Sequence, residues 1–432
     1  MRLLLLFSLC LLPRFSSAQG STPDSVMRWF GDAKLGIFIH WGIYAVNGID
    51  ESWSFFNHYL SYADYMAQAE GFTASAYDPQ AWGDLIDSAG ARYAVLTTKH
   101  HDGVALWDSE AGPLNVAKRT PAGCDLVGPF VKALRERDLR VGLYYSHCDW
   151  SHPDYPIHTR QIRRYDITEE PARWQRFLGF HRAQLDELMT RYQPDLFWFD
   201  GDWEQTAEAW QAADLRAWLK ARQPDLILNS RLTGYGDYAT PEQGPPVTRP
   251  EAPYWELCLT MNDSWGYQRN DHNYKTPYQL IRIFADCISM GGNLLLDIGP
   301  RADGSIPPEQ VTTLQQLGRW THKHAEAIYH TRAGLPPEHF YGPTTLSADS
   351  STLFLFLPHP PQGPIVIKGL KNRINRIRVV GQGTKLDHQV LSRVYWSEYP
   401  GLCYITVPAY THDPDMTVIA VQLDGPVRLF RE

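Results

Sequence analysis

The sequence predicts an α/β protein in which an irregular (β/α)8-like barrel of the TIM type is followed by a C-terminal antiparallel β-sandwich. Three observations support this prediction. From Ser25 to about Pro336, short apolar strands alternate with helical segments, as in a parallel sheet covered by helices. After Gly334 the helical periodicity disappears, and short runs separated by Pro, Gly and Asp follow. The 432 residues suffice for a barrel of ~250 residues or more plus a smaller module.

Seven strands of the barrel are predicted from short β-branched or aromatic runs that precede polar or glycine-containing segments. They are Leu35–His40, Tyr93–Thr98, Val141–Ser146, Leu196–Asp200, Leu226–Arg231, Trp255–Thr260 and Leu294–Ile298. The helices between and after them are predicted at Asp125–Arg137, Pro171–Tyr192, Ala207–Arg222, Pro277–Met290 and Pro308–His322. An eighth strand is not identified, so the barrel is predicted to be irregular.

The strand Leu196–Asp200 is apolar on both faces until its last residue. Such a strand suits a sheet that is buried on both sides. Since Gly201 follows at once, Asp200 is placed at the carboxyl end of the strand, where barrels carry their chemistry. Side chains alternate along a strand, so Trp198 shares a face with Asp200 and lies two residues deeper. A carboxylate next to an indole is suited to a sugar ring.

Three segments are predicted along the chain: a signal peptide at 1–18, the barrel at 19–335 and the sandwich at 336–432. Met1-Arg2 is followed by an apolar run of about ten residues and then by Ser16-Ser17-Ala18, which is typical of an export signal. We therefore expect a secreted or periplasmic protein, or a lysosomal one if the host is a eukaryote. The strands expected in the sandwich are Thr352–Leu357, Ile365–Ile367, Arg376–Val380, Leu402–Val407 and Thr417–Val421.

Composition argues against several classes of partner. The net charge is −8 without a basic stripe, so a nucleic-acid partner is not expected. No second hydrophobic span follows the signal, so no membrane insertion is expected. After the signal, five cysteines remain without short paired spacing, which argues against a zinc site or a dense disulfide framework. The 13% aromatic content, with 15 Trp, favours flat apolar ligands such as sugars.

Polar and aromatic residues lie at the ends of the predicted barrel strands, where loops build a site. They are His40, His100, His101, Tyr144, Tyr145, Asp200, Asn229, Arg231 and Glu256. One reaction that could use them is metal-assisted hydrolysis, with His40, His100, His101 and Asp200 as ligands. Against it, no His-Glu-x-x-His motif is present, and adjacent histidines on a strand point to opposite faces.

The other reaction is glycoside hydrolysis, which requires two carboxylates. Asp200 is the first, and the candidates for the second are Glu242 and Glu256. Glu242 lies in a long loop after the Arg231 strand and is free to lean over the site, whereas Glu256 lies within a strand and is better suited to an ion pair or a hydrogen-bond network. Weaker candidates are Asp202, Glu204, Asp237 and Glu51.

Several motifs, in order, resemble the retaining α-L-fucosidases of glycoside hydrolase family 29. They are Gly36-Ile37-Phe38-Ile39-His40-Trp41-Gly42, Lys99-His100-His101-Asp102-Gly103, Phe197-Trp198-Phe199-Asp200-Gly201, Trp255-Glu256-Leu257-Cys258, Ser264-Trp265-Gly266-Tyr267 and Asn293-Leu294-Leu295-Leu296-Asp297-Ile298-Gly299-Pro300. The resemblance runs from about Met27 to Gly304. It implies an irregular barrel with a C-terminal β-sandwich, and a fucosylated oligosaccharide or glycoconjugate as the substrate.

The resemblance also implies roles for individual residues. Asp200 corresponds to the nucleophile, Glu242 to the acid/base with Glu256 as the alternative, and Trp265 to an aromatic that meets the methyl group of fucose. The residues expected to contact the sugar are His40, Trp53, His100, His101, Tyr145, Trp198 and Arg231. In the early loop the family often has adjacent Glu and Trp, whereas here Ser52 separates Glu51 from Trp53, so Glu51 is not assigned a contact.

The predicted activity is the release of terminal α-L-fucose by double displacement, without a cofactor. Retention requires carboxyl groups ~5–5.5 Å apart, whereas inversion requires ~6.5–9.5 Å. Two alternatives remain open at this point. A metal-dependent barrel hydrolase would lose activity in a strong chelator. A non-catalytic fucose-binding protein would bind L-fucose and leave an aryl α-L-fucoside intact.

Overall fold

The computed structural model describes residues 22–430, so the signal peptide predicted at 1–18 lies outside the described residues. A curled sheet of seven parallel strands forms the N-terminal part, in the order β5-β4-β3-β2-β1-β7-β6. The strands are β1 (Leu35–Ile39), β2 (Tyr93–Lys99), β3 (Arg140–Ser146), β4 (Leu196–Asp200), β5 (Ile227–Leu228), β6 (Glu256–Thr260) and β7 (Asn293–Ile298). All seven predicted barrel strands are therefore confirmed, with β5 shorter than expected.

Helices precede, connect and follow these strands. They are α1 (Asp24–Ala33), α2 (Trp53–Phe56), α3 (Tyr62–Ala67), α4 (Pro79–Ser88), α5 (Val116–Arg119), α6 (Val127–Arg135), α7 (Pro171–Tyr192), α8 (Ala207–Trp210), α9 (Ala212–Arg222), α10 (Pro277–Ser289), α11 (Pro308–Lys323) and α12 (Ala325–Ile328). The helix α7 has the predicted bounds. The helix predicted at Ala207–Arg222 is interrupted at Gln211, whose φ of 52° is left-handed. None of the helices within 22–430 has the length and apolar character needed to cross a membrane.

The gap between the edge strands β5 and β6 is filled by the segment 238–242. Parallel bridges join Tyr238 to Asn229 just after β5, and Glu242 to Cys258 on β6. The amide of Cys258 also donates to the carbonyl of Pro241 at 3.1 Å. The segment 238–242 therefore occupies the eighth position of the barrel, which the sequence pattern did not identify.

The alternation predicted for β4 is confirmed by its packing. Leu196 and Trp198 point into the barrel, where they join a buried cluster with Phe38 and Tyr144. Phe197 points outward into the much larger core between the sheet and the helices, as does Phe199. Because Asp200 continues the inward series, its side chain lies at the carboxyl end of the barrel. This end is called the rim below.

An antiparallel β-sandwich follows the barrel, as predicted. Its sheets have the orders β12-β15-β10-β9-β8 and β11-β14-β13. The strands are β8 (Arg332–Ala333), β9 (Thr344–Leu346), β10 (Thr352–Leu357), β11 (Ile365–Lys368), β12 (Ile374–Val379), β13 (His388–Leu391), β14 (Leu402–Ile405) and β15 (Thr417–Leu423). One face of the larger sheet packs on the barrel, because Phe354, Phe356 and Val418 belong to the main barrel core.

Candidate active site

Asp200 is the last residue of β4, and its carboxylate is held from two sides. Nη1 of Arg231 donates to Oδ1 at 2.8 Å, and the hydroxyl of Tyr144 donates to Oδ2 at 2.9 Å. The chain turns sharply after it at Gly201, whose φ is +80° and whose added Cβ would lie 2.7 Å from Sγ of Cys148. Only glycine fits there. The carboxylate is therefore oriented by strong charge-assisted hydrogen bonds at the rim.

Arg231 connects Asp200 to Glu242. Its Nη2 lies 2.5 Å from Oε2 of Glu242, on the other arm of the guanidinium. Burial alone would lower the pKa of Arg231, but the charges of Asp200 and Glu242 outweigh burial and raise it. The side chain of Glu242 is 40% exposed, whereas that of Asp200 is 11% exposed. One guanidinium thus brings a buried carboxylate and a solvent-facing one together.

Glu256 lies far below the rim. It is the first residue of β6, at the amino end of the strand, and it is fully buried. Its Oε1 accepts a hydrogen bond from Nε1 of Trp198 at 2.9 Å, and its Oε2 accepts one from the hydroxyl of Tyr93. Burial raises the pKa of Glu256 to about 7. The structure therefore places Glu256 in a hydrogen-bond network inside the barrel, apart from Asp200 and Glu242 at the rim.

Three histidines surround Asp200. Each has its Nδ1 within 2.7 Å of a polar partner, namely Asp297 for His40, Ser52 for His100 and Ser146 for His101. This leaves Nε2 of each ring available to a ligand, and Nε2 of His101 lies 3.7 Å from Oδ2 of Asp200. Burial lowers the pKa of all three, to about 3 for His101, so the rings are neutral at ordinary pH. Neutral imidazoles are suited to hydrogen bonds with sugar hydroxyls.

The orientation expected for adjacent histidines is wrong for His100 and His101. The strand β2 ends at Lys99, so the strict alternation of a strand no longer applies to them. Their rings lie 4.2 Å apart between centroids, so they do not diverge to opposite faces.

The prediction for Tyr145 is also wrong. Its hydroxyl hydrogen-bonds Gln184 at 2.9 Å and accepts from Nζ of Lys99 at 3.0 Å, in the layer between the sheet and α7. Neighbouring residues on β3 face opposite sides, so only one of the two tyrosines can reach Asp200. That residue is Tyr144, which pairs in register with Trp198. The alternation of β3 was the signal that could have identified it.

Tryptophans line the rim on two sides. Trp265 lies 5.0 Å from His40 and Trp53 lies 5.4 Å from His101, both measured between ring centroids. Trp203, which the sequence did not assign to the site, stacks on Trp53 at 6.4 Å and is 53% exposed. Its position three residues after Asp200 was the available signal. These rings provide apolar walls beside the polar groups.

Glu51 supports the rim from below. It is buried, its Oε1 accepts a hydrogen bond from the amide of Gly266, and burial raises its pKa to about 7. The amide of Gly266 immediately follows Trp265, so this contact fixes the position of that indole. Among residues 22–430, no cluster of three or more His, Cys, Asp or Glu side chains has the geometry to hold a metal ion.

The rim carries the pair of carboxyl groups that a glycoside hydrolase requires, together with an arginine and three neutral imidazoles that can bind hydroxyl groups. The chain matches the model of the family described as alpha-L-fucosidase over residues 15–326. It belongs to the alpha-L-fucosidase family, as the sequence motifs predicted.

Relatives of known activity or structure agree with this assignment. The tissue alpha-L-fucosidase of Rattus norvegicus is 33% identical over 369 residues, which cover 75% of this chain and 77% of that protein. The structure of alpha-L-fucosidase isoenzyme 1 from Paenibacillus thiaminolyticus has a TM-score of 0.84 and 32% identity, with 93% of this chain and 99% of that chain covered.

A second similar structure was solved as a reaction intermediate. It is a GH29 alpha-L-fucosidase from Bacteroides thetaiotaomicron, a trapped covalent intermediate with 2-fluoro-fucosyl fluoride in a glutamate-to-glutamine variant. Its TM-score to this chain is 0.83 at 27% identity, and the comparison covers 96% of this chain and 100% of that chain.

Proposed function

We propose that this protein is a retaining α-L-fucosidase that releases terminal α-L-fucose from fucosylated oligosaccharides or glycoconjugates. The main support for this proposal is that the guanidinium of Arg231 hydrogen-bonds to both Asp200 and Glu242 at the rim. A retaining glycosidase requires such a pair of neighbouring carboxyl groups, one as nucleophile and one as acid/base.

In the first step, a carboxylate oxygen of Asp200 attacks the anomeric carbon. The glycosidic C–O bond breaks, and Glu242 gives its proton to the departing oxygen. Within residues 22–430, the carboxylate of Asp200 accepts two side-chain hydrogen bonds, whereas that of the partly exposed Glu242 accepts one, from Arg231. Glu242 is accordingly the proton donor.

In the second step, Glu242 takes a proton from water while the water oxygen attacks the anomeric carbon. The ester bond to Asp200 breaks and L-fucose leaves. While Asp200 is esterified it carries no charge, so Arg231 then pairs with the carboxylate of Glu242, which has already given up its proton. This change turns the same residue from an acid into a base.

Substrate recognition follows from the groups around Asp200. The protein holds Nδ1 of His40, His100 and His101, so their Nε2 atoms are placed to bond sugar hydroxyls. Trp265 beside Phe38 offers an apolar surface for the methyl group of the deoxy-sugar. Trp53 and the exposed Trp203 lie at the mouth. These contacts accelerate the reaction to the extent that they tighten in the transition state.

The proposal is tested with Asp200→Gly and an aryl α-L-fucoside. Turnover should be abolished, and added azide should partly restore it with formation of a fucosyl azide, because the small anion fills the space of the lost carboxylate. Wild-type enzyme with azide is the control. Full activity of Asp200→Gly without azide would remove Asp200 from the role.

Two further measurements separate the proposal from its alternatives. Wild-type activity should survive dialysis against a strong chelator. A loss that a divalent cation restores would favour a metal-dependent hydrolase. Binding of L-fucose without hydrolysis of the aryl fucoside would favour a non-catalytic binding protein.

Export is a separate proposal, and it rests on the N-terminal sequence. We propose that residues 1–18 direct the chain out of the cytoplasm and are removed. The mature protein recovered outside the cytoplasm should begin near Gln19, as N-terminal sequencing would show. Recovery of a chain that still begins at Met1 would contradict export by this signal.

A further inference from the structure

We propose that Glu256 is a positioning residue that acts on the nucleophile through Trp198. The inference rests on the proposed function, in which Asp200 is the nucleophile. The side chain of Glu256 holds the indole of Trp198, and this indole supports the two side chains that donate to the carboxylate of Asp200. No step of the chemistry is assigned to Glu256 itself.

The indole of Trp198 is fixed in its plane by Glu256. The carboxyl group of Glu256 on β6 accepts from Nε1 of Trp198 on β4 at 2.9 Å and from the hydroxyl of Tyr93 on β2. Three strands of the barrel are thus joined through one carboxyl group in its interior. Both Glu256 and Trp198 are buried, so neither water nor another side chain can replace the bond without a rearrangement.

Both donors to Asp200 lie against the same indole. The guanidinium carbon of Arg231 is 4.6 Å from the ring centroid of Trp198, and the ring of Tyr144 stacks on it at 5.7 Å with an interplanar angle of 19°. Arg231 donates to Oδ1 of Asp200 and Tyr144 to Oδ2. A tilt of the indole therefore displaces the supports of both carboxylate oxygens together.

The position of Glu256 argues against direct contact with substrate. It begins β6 at the amino end, and Tyr93 begins β2 at the same end, whereas Asp200 ends β4 at the rim. Trp198 lies between them.

Since burial raises the pKa of Glu256 to about 7, the neutral acid is its form in mildly acidic solution. Glutamine matches that form: its carbonyl can accept from Trp198, and its amide nitrogen replaces the protonated oxygen, so that the bond with Tyr93 runs from the side chain at 256 to the phenol oxygen.

The experiment compares Glu256→Gln with Glu256→Leu in the full chain. Leucine removes both acceptors and leaves Nε1 of Trp198 unpaired. The readouts are kcat and KM on an aryl α-L-fucoside and the rate of covalent labelling of Asp200 by 2-fluoro-fucosyl fluoride. All are measured at a temperature where circular dichroism shows the variants folded. Misplacement of the nucleophile by about 1 Å costs about 100-fold in rate.

We expect Glu256→Leu to lower kcat and the labelling rate by about 100-fold, with a much smaller change in KM. Glu256→Gln should stay within about tenfold of wild type, a cost of about 1.4 kcal/mol in barrier height. The matched control is Glu187, whose carboxylate accepts from Nε1 of Trp107 at 2.7 Å outside the barrel. Glu187→Leu should lower the unfolding temperature and leave kcat and labelling unchanged.

Two results would overturn the inference. If Glu256→Gln were as inactive as Glu256→Leu, and azide restored both, Glu256 would be taking part in the chemistry. If folded Glu256→Leu kept wild-type kcat and labelling, the residue would be purely structural. Failure of the proposed function is distinguishable, because wild-type enzyme would then neither hydrolyse the fucoside nor be labelled.

Discussion

Arg231 supplies the positive charge between the two carboxylates of the site, Asp200 and Glu242. Its two arms contact Asp200 at 2.8 Å and Glu242 at 2.5 Å, and its face lies on Trp198. Lysine would supply the same charge without the planar fork that holds two carboxylates at once. The sequence identified all four of these residues as candidates, because each is a charged or aromatic group in or after a predicted strand.

The two adjacent tyrosines of β3 give a matched pair for kinetics. Tyr144→Phe removes a hydrogen bond to the carboxylate of Asp200, and a bond to a charged group contributes about 1.5–3 kcal/mol. We expect kcat/KM to fall by about 10–100-fold. Tyr145→Phe should lower thermal stability, because Lys99 and Gln184 lose a buried partner, and should leave kcat/KM unchanged. The reverse pattern in steady-state kinetics would contradict the placement of these side chains.

The raised pKa of Glu256 also makes the free energy of unfolding depend on pH, and the direction of the shift determines whether it rises or falls. Burial raises its pKa to about 7 in the folded protein, whereas a glutamate in an unfolded chain ionises near about 4.3. Between these values the folded state binds the extra proton, so the contribution of Glu256 to stability falls as pH rises from about 4.3 to about 7. Relative to Glu256→Gln, wild type should lose roughly 3 kcal/mol over this range.

Urea unfolding of both proteins at several pH values measures this difference. A stability difference that stays constant between about pH 4.3 and 7 would show that Glu256 ionises alike in the two states. A difference that grows in favour of wild type would contradict the sign of the shift.

At the level of secondary-structure elements, the segment 238–242 matters most, because it closes the barrel and carries Glu242. Its geometry depends on a close approach at Gly236, where an added Cβ would lie 2.0 Å from the carbonyl oxygen of Asn229. Gly236→Ala should cost about 1–3 kcal/mol of stability and lower kcat at least about tenfold, since Glu242 would shift away from Arg231.

Gly244 is the matched control for this prediction. It lies two residues beyond Glu242, and a Cβ there would meet nothing within 4 Å. Thermal unfolding and kcat of Gly244→Ala should match wild type. Equal effects of the two substitutions would contradict the importance of the close approach at Gly236.

The sequence predicted the bounds of helices and strands that have a regular pattern of apolar residues. It did not predict a segment whose position depends on contacts with residues distant in the sequence. The helix α7 and the strand β4 were identified with their bounds, because buried residues recur along them at regular spacing. The segment 238–242 contains Pro241 and makes only isolated bridges, so it has no strand-like run in the sequence. Its place is determined by the edges of β5 and β6, which lie far from each other along the chain.

At the scale of the whole molecule, the sandwich and the barrel share a core. Phe356 of the sandwich packs 6.3 Å from Trp320 of α11, and Nε1 of Trp320 donates to the carbonyl of Met416 at 2.9 Å. The guanidinium of Arg378 binds both oxygens of Glu326, at 2.7 and 2.6 Å. The two parts therefore stabilise each other through burial as well as charge.

Calorimetry tests this coupling. We expect one cooperative unfolding transition for the full chain, because separation would expose Trp320 and Phe356 to water. A shortened chain that ends at 335 should be less soluble and unfold at a lower temperature. Two well-separated transitions in the full chain would contradict a shared core.

The architecture and the family could be predicted from the sequence because they depend on order and periodicity along the chain. The alternation of β3 separates Tyr144 from Tyr145, but which of them faces Asp200 follows only from the register between β3 and β4. The depth of Glu256 likewise depends on where β6 starts relative to its neighbours. The boundary near 335 stays a prediction, although the strand β8 begins at Arg332, just before it.

Double displacement requires Asp200 to form a covalent bond to the sugar. Incubation of the protein with 2-fluoro-fucosyl fluoride, followed by digestion and mass spectrometry, locates the residue that forms this bond. We expect one fluorofucosyl group per chain, on Asp200, with loss of activity in step with labelling. An adduct on a different carboxylate, or release of inverted fucose from an unlabelled active enzyme, would contradict it.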